Sequence, residues 1–274
     1  MIRKQKEVAQ MIVGFVGAGN MAGAIIRGMA AGGFRGENIW VYDPDEEKLS
    51  ALYADCGVTI CPSAESVASG VDTLVLAVKP QVLPAVLPAL TGVLHRCRPL
   101  VVSIAAGKDL AALEAMAGED LAIVRVMPNI NAKVNESMSA FCGNAAVTDG
   151  HKASVRRIFE AVGEVIELEE KFFSAFSVIA GCSPAYTLLY IDALAQAGVK
   201  YGLTKALALK IASQAVLGTT RLLQETGEHP RALADQVCSP AGTTIAGVCS
   251  LQDHAFEAAV IAAADASLER DRQL

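Results

Sequence analysis

The 274-residue sequence predicts an α/β protein, with a mainly parallel sheet over residues 1–170 and an all-helical region over residues 171–274. Three observations predict it. Short apolar runs alternate with helical stretches as far as residue 168, the pattern of a sheet covered by helices on both faces. A glycine turn, Gly17-Ala18-Gly19-Asn20-Met21-Ala22, separates the first apolar run from the first helical stretch. From about Lys171 the strand signals stop, and Ala, Leu and Gln recur at helical spacing.

Met11 to Val16 is the first strand and Ala24 to Ala31 lies in the helix after it. The turn between them fits G-x-G-x-x-[GA], in which the first glycine makes the tight turn and the second admits a pyrophosphate. The small third residue, here Ala22, lets helix pack on strand. A Rossmann-type dinucleotide site is the reading, and a glycine turn in another α/β protein is the bland alternative. Ile39 to Tyr42 is the next strand, with Asp43 at its end. An acidic residue there accepts from a ribose 2′-hydroxyl and repels a 2′-phosphate, which favours NAD over NADP. Asp43-Pro44 also suits a simple turn, and Lys48 offers a phosphate partner, so NADPH and NADH both stay open.

Thr73 to Val78, Leu100 to Ile104, Ile123 to Val126, Ser139 to Cys142 and Val165 to Leu168 complete the predicted strands. In such a sheet ligands bind beyond the carboxyl ends of the strands. That makes Val78, Lys79 and Pro80, then Ala105 and Gly107, then Met127, Pro128 and Asn129 candidates for the nicotinamide half of the cofactor. A solvated lysine and an Asx turn are the plain readings of Lys79 and Asn129.

The predicted helices of the second region are Tyr186 to Ala197, Thr204 to Glu225, His229 to Val237 and Thr244 to Leu268. Ala206 to Leu217 is apolar nearly all round, which a small helical region cannot bury alone. A homodimer is the expectation, with packing wholly on the first region as the alternative. Phe172 to Ile191 has no charge and nears membrane-spanning length, but Gly181, Cys182, Ser183 and Pro184 interrupt it. It reads as a helix pair buried in a protein interface, not as a membrane span. The charged run Glu167 to Lys171 is the expected boundary.

Ser239 to Gly247, Ser-Pro-Ala-Gly-Thr-Thr-Ile-Ala-Gly, places small residues and three hydroxyls at a helix start. Free N–H groups of a first turn bind carboxylate or phosphate, and glycine lets a ligand approach the backbone. Ser239, Ala241, Gly242, Thr243 and Thr244 are therefore candidates for gripping a small anion, against a plain cap and turn. His229 reads as a cap beside Pro230 and is left outside the site.

A formal charge of −6 with scattered basic residues gives no footprint for nucleic acid. Seven cysteines without a Cys-x-x-Cys pair, beside four histidines, argue against a disulfide framework and a metal site. Free thiols in a reducing cytoplasm are the expectation. Met1 to Gln10 lacks a following apolar segment of signal-peptide type and reads as a short leader, with Met11 an alternative start.

In order along the chain, Gly14-Phe15-Val16-Gly17-Ala18-Gly19-Asn20-Met21-Ala22, Val78-Lys79-Pro80-Gln81, Arg125-Val126-Met127-Pro128-Asn129 and Ser239-Pro240-Ala241-Gly242-Thr243-Thr244-Ile245 resemble the pyrroline-5-carboxylate reductase family. The resemblance runs from Met11 almost to the end. It implies a Rossmann domain followed by a helical domain that interlocks in a dimer, often assembled into decamers. It implies hydride transfer from NADPH or NADH to a cyclic imine bearing a carboxylate, giving proline. The carboxylate would be held at Gly242, Thr243 and Thr244 with Ser239 assisting, and the Thr244 hydroxyl would meet the ring nitrogen. Three departures stand out: Ile130-Asn131 where the family has Thr-Pro, Cys182-Ser183 where the family's Gly-Ser-Gly-Pro-Ala-Tyr has Ser-Gly, and Ala241 where a second glycine is usual. Ala241 keeps its N–H as a donor if its backbone is ordinary. A hydroxyisobutyrate-type dehydrogenase and a non-catalytic nicotinamide sensor are the competing readings.

Overall fold

The protein is described by a computed structural model covering residues 11–118 and 120–273. The leader expected at Met1 to Gln10 lies outside the described residues. Among these, the strands are β1 (Val13–Val16), β2 (Ile39–Tyr42), β3 (Thr59–Ile60), β4 (Thr73–Leu76), β5 (Leu100–Ser103), β6 (Ile123–Met127), β7 (Ser137–Gly143) and β8 (Gly163–Glu167). They form one sheet in the order β3-β2-β1-β4-β5-β6-β7-β8, parallel at every pair except β6 and β7. The mainly parallel sheet is as expected. Edge strand β3 was not: its two residues, paired to Trp40 and Val41, are too short to show a period.

The alternation of side chains across the sheet builds two cores. Val13 and Phe15 face one way, packed with α1 (Asn20–Ala31), α2 (Glu46–Cys56) and a later helix, Asp149–Glu160. Val16, Leu74 and Leu76 face the other, packed with α3 (Ala64–Ser69), α4 (Leu83–Cys97) and α5 (Leu110–Ala117). The chain steps outward from β1 to β2 and β3, then returns to place β4 on the other side of β1. That reversal opens a crevice at the carboxyl end of β1, where the glycine turn sits.

Local signals explain the helix ends. Asp45 accepts from the N–H groups of Glu47 and Lys48 at the start of α2, and Gly57, at φ +65°, closes it. Thr148 and His151 form a reciprocal capping box at the start of α6 (Asp149–Glu160).

Two compact units divide between Gly181 and Cys182. The second consists of α8 (Ser183–Lys200), α9 (Lys205–Thr226), α10 (Pro230–Val237), α11 (Thr243–Asp253) and α12 (Phe256–Asp271); α7 (Phe173–Phe176) precedes it. Helices α8 and α9 approach closely at Gly198, where a Cβ would lie 2.8 Å from the Ala208 methyl. The Tyr186 hydroxyl bonds Ser267, joining α8 to α12.

Two expectations for this region are corrected. Thr244 to Leu268 is not one helix, because Ala255 adopts φ +54° and separates α11 from α12. Gly181-Cys182-Ser183-Pro184 does not split Phe172 to Ile191 into a pair. The stretch Glu170–Lys200 is helical throughout, with a π-helical turn at Ser177–Cys182, and Pro184 sits in the first turn of α8, where a missing N–H costs little. By length and composition alone this stretch is apolar enough to cross a membrane. The second unit also leaves Leu188, Leu189, Ile211 and Ile261 more than half exposed, a surface that an isolated soluble unit rarely carries.

Candidate active-site residues

The glycine turn is fastened from two sides. Gly17 donates its N–H to Tyr42 O at 2.8 Å, and Ala18 donates to Asp43 Oδ2 at 2.7 Å. Gly17 has φ +104°, and a Cβ there would lie 2.7 Å from the Ala77 carbonyl oxygen, so only glycine fits. Gly19 is different. It is the N-cap of α1 with φ −70°, no side chain caps that helix, and a Cβ would meet no protein atom within 4 Å. The second glycine is thus not required by the chain's own packing, and the space before it is open. Asn20 is exposed, Met21 half-buried and Ala22 buried against the core.

A cavity of about 500 Å³ runs from Ala18, Gly19 and Asn20 past the cations Arg27, Lys48 and Lys133. Arg27 pairs with Asp55 at 2.8 Å and Lys48 with Asp45 at 2.9 Å. That pairing raises the Lys48 pKa and lowers that of Asp45, so both stay charged at neutral pH. An uncapped helix start, open space at Gly19 and nearby cations fit the pyrophosphate of a dinucleotide.

Asp43 stands at the end of β2 as expected, but much of its carboxylate is engaged by the chain. Besides Ala18, it accepts from the Asp45 N–H at 2.9 Å through Oδ1, with Lys48 Nζ 3.8 Å away. It therefore holds the glycine turn in place.

The other strand-end candidates also gather at this edge of the sheet. Val78 and Pro80 are half-buried and Lys79 is exposed; the Lys79 carbonyl accepts from Val82 and Leu83 as the chain turns into α4. Ala105 is buried, its N–H donating to Ser103 Oγ at 3.3 Å, and Gly107 has φ +69°. Met127 and Pro128 are half-buried. Asn129 is only 7% exposed and its side chain serves the fold: Nδ2 donates to Ala180 O at 2.9 Å and Oδ1 accepts from Asn131 N–H. The Asx-turn reading describes its oxygen; its backbone N–H donates to Ser137 Oγ at 3.3 Å and its C=O accepts from Ala132 N–H at 3.1 Å, so the carbonyl's second lone pair is what is left to meet a cofactor.

Sequence reasoning missed the charged cluster beneath these loops. Arg125 on β6, 11% exposed, places Nη1 3.0 Å from Glu170 Oε1. Burial and the Glu170 charge push the neighbouring Cys142 thiol up to about 12, so it stays protonated and inert.

In the helical unit, Ser239, Ala241, Gly242, Thr243 and Thr244 form the turn into α11. Ser239 O accepts from Gly242 N–H at 3.0 Å, Gly242 is the N-cap, and no side chain caps the helix. A Cβ on Gly242 would collide with the Ser239 hydroxyl and come within 3.0 Å of Ser239 O. Thr243 and Thr244 occupy the first turn and are exposed. The backbone of Ala241 is not ordinary: φ is +57°, in the left-handed region that favours glycine. The condition set for Ala241, an ordinary backbone, is not met. Ala241→Gly should therefore stabilise the protein by about 1 kcal/mol, read as a raised chemical-denaturation midpoint with an unchanged slope. His229 is the N-cap of α10, its Nδ1 accepting from the Arg231 N–H, which is the cap role expected.

Comparison with known proteins adds a second line of evidence. Residues 170–274 match the family model for pyrroline-5-carboxylate reductase dimerisation, and residues 12–107 match that for NADP oxidoreductase, coenzyme F420-dependent. The pyrroline-5-carboxylate reductase of Escherichia coli is 42% identical over 264 residues, 96% of this chain and 97% of the relative. A solved pyrroline-5-carboxylate reductase from Coxiella burnetii superposes with TM-score 0.92 at 32% identity, covering 96% of this chain and 98% of that one. The pyrroline carboxylate reductase of Plasmodium falciparum, solved with NADP bound, has TM-score 0.87 at 31% identity over 97% and 98% of the two chains. The outward-facing leucines thus lie in a dimerisation domain, and a homodimer accounts for them. With its motifs in order and its whole length matched, the chain belongs to the pyrroline-5-carboxylate reductase family.

Proposed function

We propose that this pyrroline-5-carboxylate reductase carries out its reaction through two uncapped helix starts, α1 for the cofactor and α11 for the substrate carboxylate. The observation that carries the assignment is the turn at Gly242. A Cβ there would displace the Ser239 hydroxyl, and the turn opens a helix whose first turn lacks a side-chain cap. Backbone N–H groups of Thr243 and Thr244 hold the carboxylate of 1-pyrroline-5-carboxylate, with Gly242, whose own N–H is donated to Ser239 O, and Ala241 shaping the turn and the Ser239 hydroxyl assisting. The reduced nicotinamide supplies the hydride. The protein's part is to present the imine carbon at near-attack distance, which contributes through orientation. The Thr244 hydroxyl bonds the ring nitrogen. Hydride adds to the imine carbon, the C=N π pair moves to nitrogen, and a proton from solvent or the protonated substrate completes the secondary amine of proline. A threonine hydroxyl is too weak an acid to be that proton's source.

The cofactor residues are Gly17, Ala18, Gly19, Asn20, Met21, Ala22 and Asp43 at the pyrophosphate and adenosine end. Val78, Lys79, Pro80, Ala105, Gly107, Met127, Pro128 and the backbone of Asn129 serve the nicotinamide end. Between NADPH and NADH, the pair Asp43 and Asp45 favours NADH. Both carboxylates would face a 2′-phosphate, and Lys48, the nearby cation, is already held by Asp45. NADH should give the higher kcat/KM by at least about tenfold, the scale of one or two screened like-charge contacts. Steady-state rates with both cofactors at matched pyrroline-5-carboxylate check this; a preference for NADPH contradicts it. The domain division expected at residues 170 and 171, where the match to the dimerisation family begins although the compact units divide eleven residues later, further assembly of dimers into decamers, and a cytoplasmic location complete the reading. The seven unbridged cysteines are compatible with a reducing compartment.

A further inference from the structure

We infer that Glu170 is a positioning residue for reduction, setting the loops after β5 and β6 against each other through a single carboxylate oxygen. Glu170 Oε1 accepts from the Leu110 N–H at 2.8 Å and from Arg125 Nη1 at 3.0 Å. Leu110 is the first residue of α5, three positions after Gly107, and its N–H is one of the donors a helix start leaves without an internal partner. Arg125 lies two residues before Met127, so the two side chains share a face of β6. The guanidinium also lies 4.5 Å from the centre of the Phe173 ring.

Each contact limits a different motion. The Leu110 bond fixes the end of the segment that carries Ala105 and Gly107. The Arg125 pair fixes the strand that runs into Met127 and Pro128. A guanidinium this buried is costly to leave unpaired, so Glu170 has little freedom to release it. The carboxylate and Phe173 come from the stretch immediately before α8, 45 residues beyond Arg125, so the clamp also roots that stretch on the sheet.

The inference rests on reading those two loops as the nicotinamide end of the cofactor site. Glu170→Gln keeps an acceptor for Leu110 but removes the charge facing Arg125; Glu170→Ala removes both. The expected result on the purified enzyme is a rise in KM for reduced cofactor of roughly tenfold in Glu170→Ala and less in Glu170→Gln. KM for pyrroline-5-carboxylate should stay within about twofold, a split that general loss of folded enzyme does not produce. Arg125→Lys should retain more cofactor affinity than Arg125→Ala. Glu167→Gln, which breaks the exposed pair with Lys152, is the control and should behave as wild type.

The inference is overturned if folded Glu170→Gln and Glu170→Ala keep wild-type cofactor KM, or if both KM values and kcat fall or rise together with stability. If Glu170→Ala does not fold, Glu170→Gln and the Arg125 pair decide the matter. Direct titration of NADH into Gly19→Ala separates the two levels. Weakened binding there with unchanged Glu170 variants refutes the clamp alone, whereas unchanged binding there refutes the dinucleotide reading of this sheet edge, on which the loop reading depends.

Discussion

Gly19→Ala should leave the fold intact while weakening dinucleotide binding by roughly tenfold or more, and Gly17→Ala should damage both. The two glycines stand two positions apart and differ in physical role. Gly19 has an ordinary φ, and a Cβ there meets no protein atom, so alanine costs the chain almost nothing. The same methyl would stand in the space before the uncapped start of α1, where a pyrophosphate must approach the backbone. Gly17 has φ +104°, and its Cβ would press on the Ala77 carbonyl. Strained backbone costs about 1–2 kcal/mol, and moving Ala77 and the adjoining end of β4 adds to it. Thermal unfolding with and without NADH separates the cases. Gly19→Ala should melt with wild type in the absence of NADH and lose the ligand-induced rise; Gly17→Ala should melt lower throughout. A Gly19→Ala protein with full ligand stabilisation would contradict the placement of the pyrophosphate.

Gly242→Ala and Thr244→Ala form the second pair. The alanine methyl at 242 would collide with the Ser239 hydroxyl and lie 3.0 Å from Ser239 O, so the hydroxyl must rotate out of the turn, the backbone must give slightly, and the carboxylate grip is loosened. Its main effect should be a rise in KM for pyrroline-5-carboxylate of roughly a hundredfold, as for losing two charge-assisted bonds. Thr244→Ala keeps the backbone N–H groups and removes only the hydroxyl. It should lower kcat/KM by about 1–3 kcal/mol, chiefly through kcat, because the bond to nitrogen strengthens as charge changes there. Wild-type kinetics in Thr244→Ala would remove that residue from the reaction.

Much of this was legible because the signals are local. A strand, two glycines and a helix within twenty residues define the first binding turn, and Ser239 to Thr244 define the second. Asp43 was legible by position but not by its bond to Ala18, which joins residues 25 apart. The Arg125–Glu170 pair spans 45 positions and the Asn129–Ala180 bond 51, and no spacing rule connects such residues before the fold exists. The left-handed backbone at Ala241 and Ala255 was hidden for another reason: alanine is a strong helix former, and its identity predicts the opposite. The π-helical turn at Ser177–Cys182 takes in Gly181 and Cys182, and Ser183-Pro184 opens α8, so a run that on sequence grounds ends a helix is carried through.

The most direct test of the whole account is the loss of reduced-nicotinamide absorbance when purified enzyme meets 1-pyrroline-5-carboxylate, with NADH and NADPH in parallel. The expected result is enzyme-dependent oxidation of cofactor with stoichiometric formation of proline, cut to roughly a tenth in Gly242→Ala at a substrate level about ten times the wild-type KM. Cofactor binding without turnover of the imine, or turnover of a hydroxy acid in its place, would contradict it.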